Sequence, residues 1–348
     1  MKKFILKTLL ILFVSILPNV IVGFLRLGVN DFIPYTINYD LFQARYARYL
    51  EDSLINKSET VRVKPVGDLN NLSFAGDPII RSVDFFGFSN EYDNRRPEVL
   101  FIGDSFFNDP HLNSSMGIQS EVNKRLGKNS SYNIGNVSLC GFKVYNTLQQ
   151  AFFTGKPKLI IFETVERNVV ENIKRSLDEL ENHEKFSSFN HSFLDLILGN
   201  NFMNIQKSHL LHSTTPSKKL GKMRRISNQQ YWFLSNKLHR LTPLEIEQTV
   251  QLMKEIQDRL LKEQVNILFV VAPDKESVYP ELFGNTDLQL LQEKMRTEGV
   301  NNIDMFASLL GKGEKCYYRG DTHWSYSAVK MLADSVVKRF NQTSAISN

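Results

Sequence analysis

Val99-Leu-Phe-Ile-Gly-Asp-Ser-Phe-Phe107 is the stretch that decides the fold. Val99 to Ile102 is an unbroken apolar run. A strand with one wet face would alternate; a continuous run predicts a short strand covered on both faces. Gly103 stops the run, and Ser105 stands on the turn beyond it.

The same grammar repeats along the chain. Roughly Ser115 to Leu126 reads as a helix, Tyr132 to Ile134 as a second strand closed by Gly135, and Val144 to Phe153 as a helix. Lys158 to Glu163 is a third buried strand, Val265 to Val271 a fourth, and Asn302 to Met305 a fifth. The last helix runs from about Ser325 to Phe340, with Val329, Leu332, Val336 and Val337 on its apolar side. Thr242-Pro-Leu-Glu245 is a helix start: Thr242 caps, Pro243 suits the first turn, and Glu245 completes a capping box. The stripe Ile246, Val250, Met253, Ile256, Leu260 and Leu261 follows it. Alternating strands and helices predict an α/β fold with a central parallel sheet between two helical layers. Ligands of such folds sit at the carboxyl ends of the strands. Ser105, Gly135 to Gly141, Glu163 to Asn168, and Asp321 with His323 all fall at that edge.

Two regions break the alternation. Residues 30–95 are mixed and aromatic, with a helix expected at Leu41 to Leu54, a loop at Val66 to Asn71 and a short strand within Ile79 to Phe88. Residues 168–241 form an insertion, helical at Val169 to Leu180 and Ser192 to Leu198. Between Thr214 and Arg225 it is basic, with Lys218, Lys219, Lys222, Arg224 and Arg225. It reads as a solvated insertion; the sharper reading is a mobile cover that attracts an acidic polymer.

The chain has 348 residues, 42% of them hydrophobic, enough for a substantial core. The net charge of +5 is local: residues 1–30 hold Lys2, Lys3, Lys7 and Arg26 and no acid, leaving 38 basic against 37 acidic residues elsewhere. That balance gives no reason to expect nucleic acid. The basic start precedes an uncharged stretch, Thr8 to Leu25, which with its flanks can span a bilayer core of roughly 30 Å at about 1.5 Å per residue. Positive residues before it place the bulk of the chain outside. The expected organisation is a signal anchor at 1–28, a membrane-proximal region at 29–80, a catalytic domain at 81–340 and a tail at 341–348, on the periplasmic or cell-surface side. A cleaved signal peptide is the rival reading. Cys140 and Cys316 are either a disulfide or two buried thiols. No CxxC or HxxxH spacing suggests a metal.

The chemistry is that of a serine nucleophile. A serine hydroxyl needs a base, and the base needs a partner to hold its tautomer. Ser105 is the candidate nucleophile, His323 the base and Asp321 its partner. The Ser105 N–H and the Gly141 N–H are candidate oxyanion donors. Each piece has a plain structural reading: Gly-Asp-Ser is a common turn, and Asp-Thr-His before a helix is a common cap. The other histidines, His111 among them, read as surface or structural.

Five stretches together resemble the SGNH (GDSL) hydrolase superfamily, and within it the alginate-type O-acetyltransferases (AlgJ/AlgX). Gly103-Asp-Ser105 resembles the first superfamily block, and Asn133-Ile-Gly-Asn-Val-Ser-Leu-Cys-Gly141 the second. Asp321-Thr-His-Trp324 looks like the DxHW signature of the acetyltransferases. Phe162-Glu-Thr-Val-Glu-Arg167 resembles their E-x-x-E-R element and Ala272-Pro-Asp-Lys-Glu-Ser-Val-Tyr-Pro280 their P-x-K-x-x-V-Y-P element. The resemblance implies an SGNH-like, flavodoxin-like three-layer fold. It also implies an acetyl group moved through a serine acyl-enzyme onto a polysaccharide or cell-surface glycan, with no cofactor, the acyl donor coming from a polytopic membrane acyltransferase. Gly141, Asn168, Arg167 and Trp324 are then candidates for oxyanion or substrate binding. Two departures stand out. The serine motif precedes DxHW here, whereas alginate-type members carry DxHW first, so alginate does not follow as substrate. The third-block Asn has no match: Glu163 occupies its region, Asn168 is displaced, and Glu163 with Arg167 also reads as an internal ion pair. An esterase or deacetylase, and a non-catalytic glycan-binding scaffold, are the competing functions.

Overall fold

A computed structural model of the chain describes residues 59–63, 79–84, 88–90, 94–109, 111–135, 141–181, 221–234, 240–284 and 287–346. The expected membrane span, the helix at Leu41 to Leu54, the loop at Val66 to Asn71, the helix at Ser192 to Leu198 and Cys140 lie outside these residues. Among them, no helix is long and apolar enough to cross a membrane.

Four parallel strands make the central sheet: β3 (Val99–Ile102), β4 (Ser131–Ile134), β5 (Leu159–Val165) and β8 (Asn266–Ala272), in the order β4-β3-β5-β8. Val99 lies opposite both Ser131 and Leu159, and Leu159 opposite Asn266. All residues of β3, β4 and β5 are buried, as the unbroken apolar runs of β3 and of Leu159 to Phe162 require. Alternate side chains feed two cores. Leu100 and Ile102 join Ile246, Val250 and Leu291 on one face; Val99 and Phe101 join Val122, Leu332 and Val336 on the other. The result is a three-layer α/β domain.

Helices α1 (Ile118–Leu126), α2 (Gly141–Ala151), α3 (Val169–Glu181) and α4 (Pro243–Lys262) lie between these strands in sequence. The capping box of α4 is formed on both sides by Thr242 and Glu245. After β8 come short α5 (Pro280–Phe283), α6 (Asp287–Thr297), α7 (Met305–Leu309), α8 (Gly313–Cys316) and the long α9 (Tyr326–Ile346).

The expected fifth strand shrinks to a single parallel bridge between Phe269 and Asn302. Asp304 accepts the Ala307 N–H and starts α7 at Met305, so the chain turns helical before a second pairing forms. Within Ile79 to Phe88 the strand is β2 (Ile79–Val83), paired antiparallel with β1 (Glu59–Val63), not with the sheet. The described end of the basic segment is solvent-exposed at Lys222, Arg224 and Arg225, as a solvated segment requires, and it is a strand where no regular structure was expected. Residues 221–226 are strand β6 (Gly221–Ile226), hairpinned to β7 (Gln229–Leu234). Ser227 and Asn228 both have positive φ, 48° and 64°, as a two-residue primed turn demands. Tyr231 and Phe233 are buried, so this hairpin packs into the domain as part of it.

The first strand in sequence is central, with the second on one side and the third on the other. Chain direction around the sheet therefore switches between β3 and β5, where a ligand crevice is expected. Ser105 and the segment after Val165 leave the sheet at that point.

Candidate active site

Ser105 sits on a tight turn held from below. The turn carries Phe107 N–H to the Asp104 carbonyl and Asn108 N–H to the Ser105 carbonyl, both 3.2 Å. Asp104 Oδ1 accepts the Phe106 N–H at 3.0 Å, and Glu163 Oε2 accepts the Asp104 N–H at 2.8 Å. The N–H groups of residues 104, 106, 107 and 108 are thus used within this support, and that of Ser105 is not among them. Gly103 is required by space: a Cβ there would meet Glu163 Oε2 at 2.6 Å and the Phe107 ring at 2.8 Å. Asn133, from the end of β4, donates to the Phe107 carbonyl at 2.8 Å and steadies the far side of the turn.

Asp321 and His323 stand on a loop closed by an antiparallel bridge between Tyr317 and Trp324. Their spacing has a direct cause. Asp321 Oδ1 accepts the backbone N–H of His323 at 2.8 Å and lies 2.5 Å from its Nδ1. A gap of two residues lets one carboxylate oxygen fix both the turn and the ring. An ionised carboxylate only accepts, so Nδ1 carries the proton and Nε2 is left as acceptor. Ser105 Oγ lies 2.7 Å from that Nε2. Three side chains from two segments therefore form one chain of hydrogen bonds, with Ser105 half-buried and open to a substrate.

Burial alone would raise the Asp321 carboxyl; the His323 charge and the contacts from His111 and His323 outweigh it and hold it far below the usual carboxylate range. Asp321 is ionised throughout the neutral range. Nearby Asp109 moves the other way: burial lifts it to about 6, against the opposing pull of His323 and His111.

The remaining sequence candidates separate. Gly141 is the first residue of α2 rather than part of a free turn, and a Cβ there would lie 2.3 Å from Ile102 Cγ2, so only glycine fits. Trp324 is 1% exposed, donates Nε1–H to the Tyr317 hydroxyl at 3.0 Å and packs edge-on against Phe106. It braces the floor of the site and offers a substrate no surface. Arg167 pairs with buried Asp274, not with Glu163, and Glu166 accepts the Asp274 N–H at 2.9 Å. The E-x-x-E-R element is thus a clasp between the ends of β5 and β8. Asn168 is exposed at the end of the same 3-10 turn, Glu166–Asn168. Cys316 is a buried free thiol.

Two residues carry no role in the sequence reading, Lys275 standing there only as the Lys of the P-x-K-x-x-V-Y-P resemblance. His111 Nε2 lies 2.9 Å from Asp321 Oδ2, with its side chain 3% exposed. Among the described residues, His111, Asp321 and His323 are the group whose donor atoms gather within 4.8 Å of one another. His111 Nε2 and His323 Nδ1 lie 2.9 and 2.5 Å from the two oxygens of the Asp321 carboxylate. Lys275 is the other: it is fully buried and donates to the carbonyls of Trp232, Tyr318, Arg319 and Asp321 at 2.9, 2.5, 2.9 and 3.4 Å. Its Nζ also lies 5.3 and 5.2 Å from the Tyr231 and Phe233 ring centroids.

The sheet thus brings a Gly-Asp-Ser turn and an Asp-x-His loop to one edge. Residues 227–348 match the family model described as SGNH hydrolase-like domain, acetyltransferase AlgX. This supports the resemblance to the AlgX-type acetyltransferases read from the motifs. The match covers the segments carrying Lys275, Asp321 and His323; the segment carrying Ser105 joins them through geometry. No curated protein matches the chain.

Proposed function

We propose that the chain is an O-acetyltransferase that moves an acetyl group through Ser105 onto a hydroxyl of a polysaccharide or cell-surface glycan. The observation that carries the reading is the hydrogen-bond chain Ser105 Oγ to His323 Nε2 (2.7 Å) and His323 Nδ1 to Asp321 Oδ1 (2.5 Å). The AlgX-type match over residues 227–348 supports transfer over hydrolysis.

In this reading Ser105 Oγ attacks the carbonyl carbon of an acetyl ester while its proton passes to His323 Nε2. Asp321 stays ionised and stabilises the imidazolium. The carbonyl electrons move to oxygen, where the Ser105 N–H, with the Gly141 N–H as second candidate, receives the charge. Collapse expels the donor's alkoxide, which takes the His323 proton, and leaves acetyl-Ser105. A sugar hydroxyl then enters, gives its proton to His323 and attacks the acetyl carbon. Ser105 leaves, regains that proton, and the glycan ester departs. The uncharged stretch Thr8 to Leu25 supports anchoring at the outer face of a membrane, with a polytopic acyltransferase as donor partner.

Product partition tests the acceptor. With an activated acetyl ester, added glycan should draw acetyl onto sugar at the expense of free acetate. Acetate release unchanged by any glycan would make the protein an esterase.

A further inference from the structure

Asp321 has two oxygens, and the triad uses one. Oδ1 takes both the Nδ1–H and the backbone N–H of His323. Oδ2 faces His111 Nε2 at 2.9 Å, and the carboxylate is 1% exposed. Bulk solvent therefore does not reach that oxygen. The Lys275 ammonium reaches the Asp321 backbone carbonyl at 3.4 Å.

His111 is itself built in. Its backbone N–H donates to buried Asp109 Oδ1 at 2.7 Å. Its ring packs 4.6 Å from the Tyr318 ring, centre to centre, and 6.3 Å from that of His323. The charged or titratable groups facing it are thus Asp109 on its own segment and Tyr318, Asp321 and His323 on the opposite loop. His111 stands six residues after Ser105 on the nucleophile segment. The two segments are consequently joined twice: Ser105 binds the imidazole, and His111 binds the carboxylate that steers it.

We propose that His111 is a positioning residue of the acid: by occupying Asp321 Oδ2 it fixes the carboxylate plane, divides its negative charge, and so sets the alignment and basicity of His323. A carboxylate held at one oxygen can swing about its Cβ–Cγ bond; held at both, it presents a fixed lone pair to Nδ1. The effect on rate rests on Ser105 acyl transfer as proposed above; the effect on His323 does not.

The test uses the full-length chain with His111→Phe, which keeps a flat ring but loses the donor, and His111→Gln, which keeps a neutral donor at similar reach. Two readouts run in parallel: the rate of Ser105 acetylation by an activated ester, and the His323 titration followed by NMR of ring-labelled histidine. In His111→Phe, kcat should fall about 10- to 100-fold with little change in KM, the range lost when an outer partner orienting a histidine is removed. The His323 titration should move upward, since undivided charge on Asp321 favours imidazolium. His111→Gln should restore both. An unmoved titration in folded His111→Phe, or equal losses in both variants, overturns the inference. If wild type forms no acetyl-Ser105, the proposed function fails, and the His323 titration still decides the role of His111. If His111→Phe does not fold, the Gln variant decides alone: a titration and rate like wild type support the role, and a loss overturns it.

Discussion

The Lys275 ammonium is buried under the Asp321 loop and donates to the Tyr318 carbonyl at 2.5 Å. With its bonds to Trp232, Arg319 and Asp321 carbonyls, it joins the β6–β7 hairpin to the loop bearing Asp321 and His323. Replacing Lys275 by Met removes every donor and strands buried carbonyls. We expect a loss of stability of about 2–4 kcal/mol and of most activity, read by denaturant melts and ester turnover. Lys275→Arg should not rescue, because a planar fork cannot reach carbonyls spread around a point charge.

Glu163 takes the place of the missing third-block Asn, and its work is underneath the nucleophile. Burial first, then the neighbouring Asp104 charge, pushes its carboxyl well above the usual range, which favours the neutral form. An isosteric neutral amide should therefore serve. Glu163→Gln is expected to keep near-normal melting temperature and acylation rate, whereas Glu163→Ala, which orphans the Asp104 N–H, should lose about 1–3 kcal/mol.

Three further acids give the fold a pH signature. Burial raises Asp109 to about 6, and Glu179 and Glu276 to about 7. Glu179 accepts the first N–H groups of α2 after Gly141, from Phe142 and Lys143, at 3.0 and 3.2 Å. Their folded values lie above the unfolded ones, so the folded chain binds more protons between roughly pH 4 and 7. Stability thus falls as pH rises through that window. Asp321 acts oppositely: its folded value is depressed, so its contribution is present above about pH 4 and is lost as pH falls. The melting temperature should be several degrees higher near pH 5 than at pH 8, and drop again below about pH 4. A flat profile would refute the buried-acid account.

The layers of the fold were legible because buried parallel strands and capped helices leave local marks: the apolar run at Val99 to Ile102 and the box at Thr242 and Glu245 appear in the structure as expected. The fifth strand was misread because Asp304 caps a helix only one residue after the bridged stretch, and four residues carry no period. The hairpin was missed because its sign, Ser227-Asn228, is weak beside a conspicuous charge run. Ser105, His323 and Asp321 could be named together from sequence because they sit at strand ends and at one short spacing, and the structure places them within hydrogen-bond distance of one another. The contacts of His111 and Lys275 were hidden because their partners lie 210 and about 45 residues away in sequence, a distance no local pattern spans. Arg167 and Trp324 were found as residues but misassigned in role: a side chain's type does not reveal that Asp274 and Tyr317 already hold it.

The central claim is that Ser105 becomes acetylated. Intact and peptide-level mass spectrometry after brief exposure to an activated acetyl ester tests it most directly. The account predicts one acetyl adduct on Ser105, absent in Ser105→Ala and slowed at least about 1000-fold in His323→Ala. An adduct elsewhere, or equal acetylation of wild type and Ser105→Ala, would contradict it.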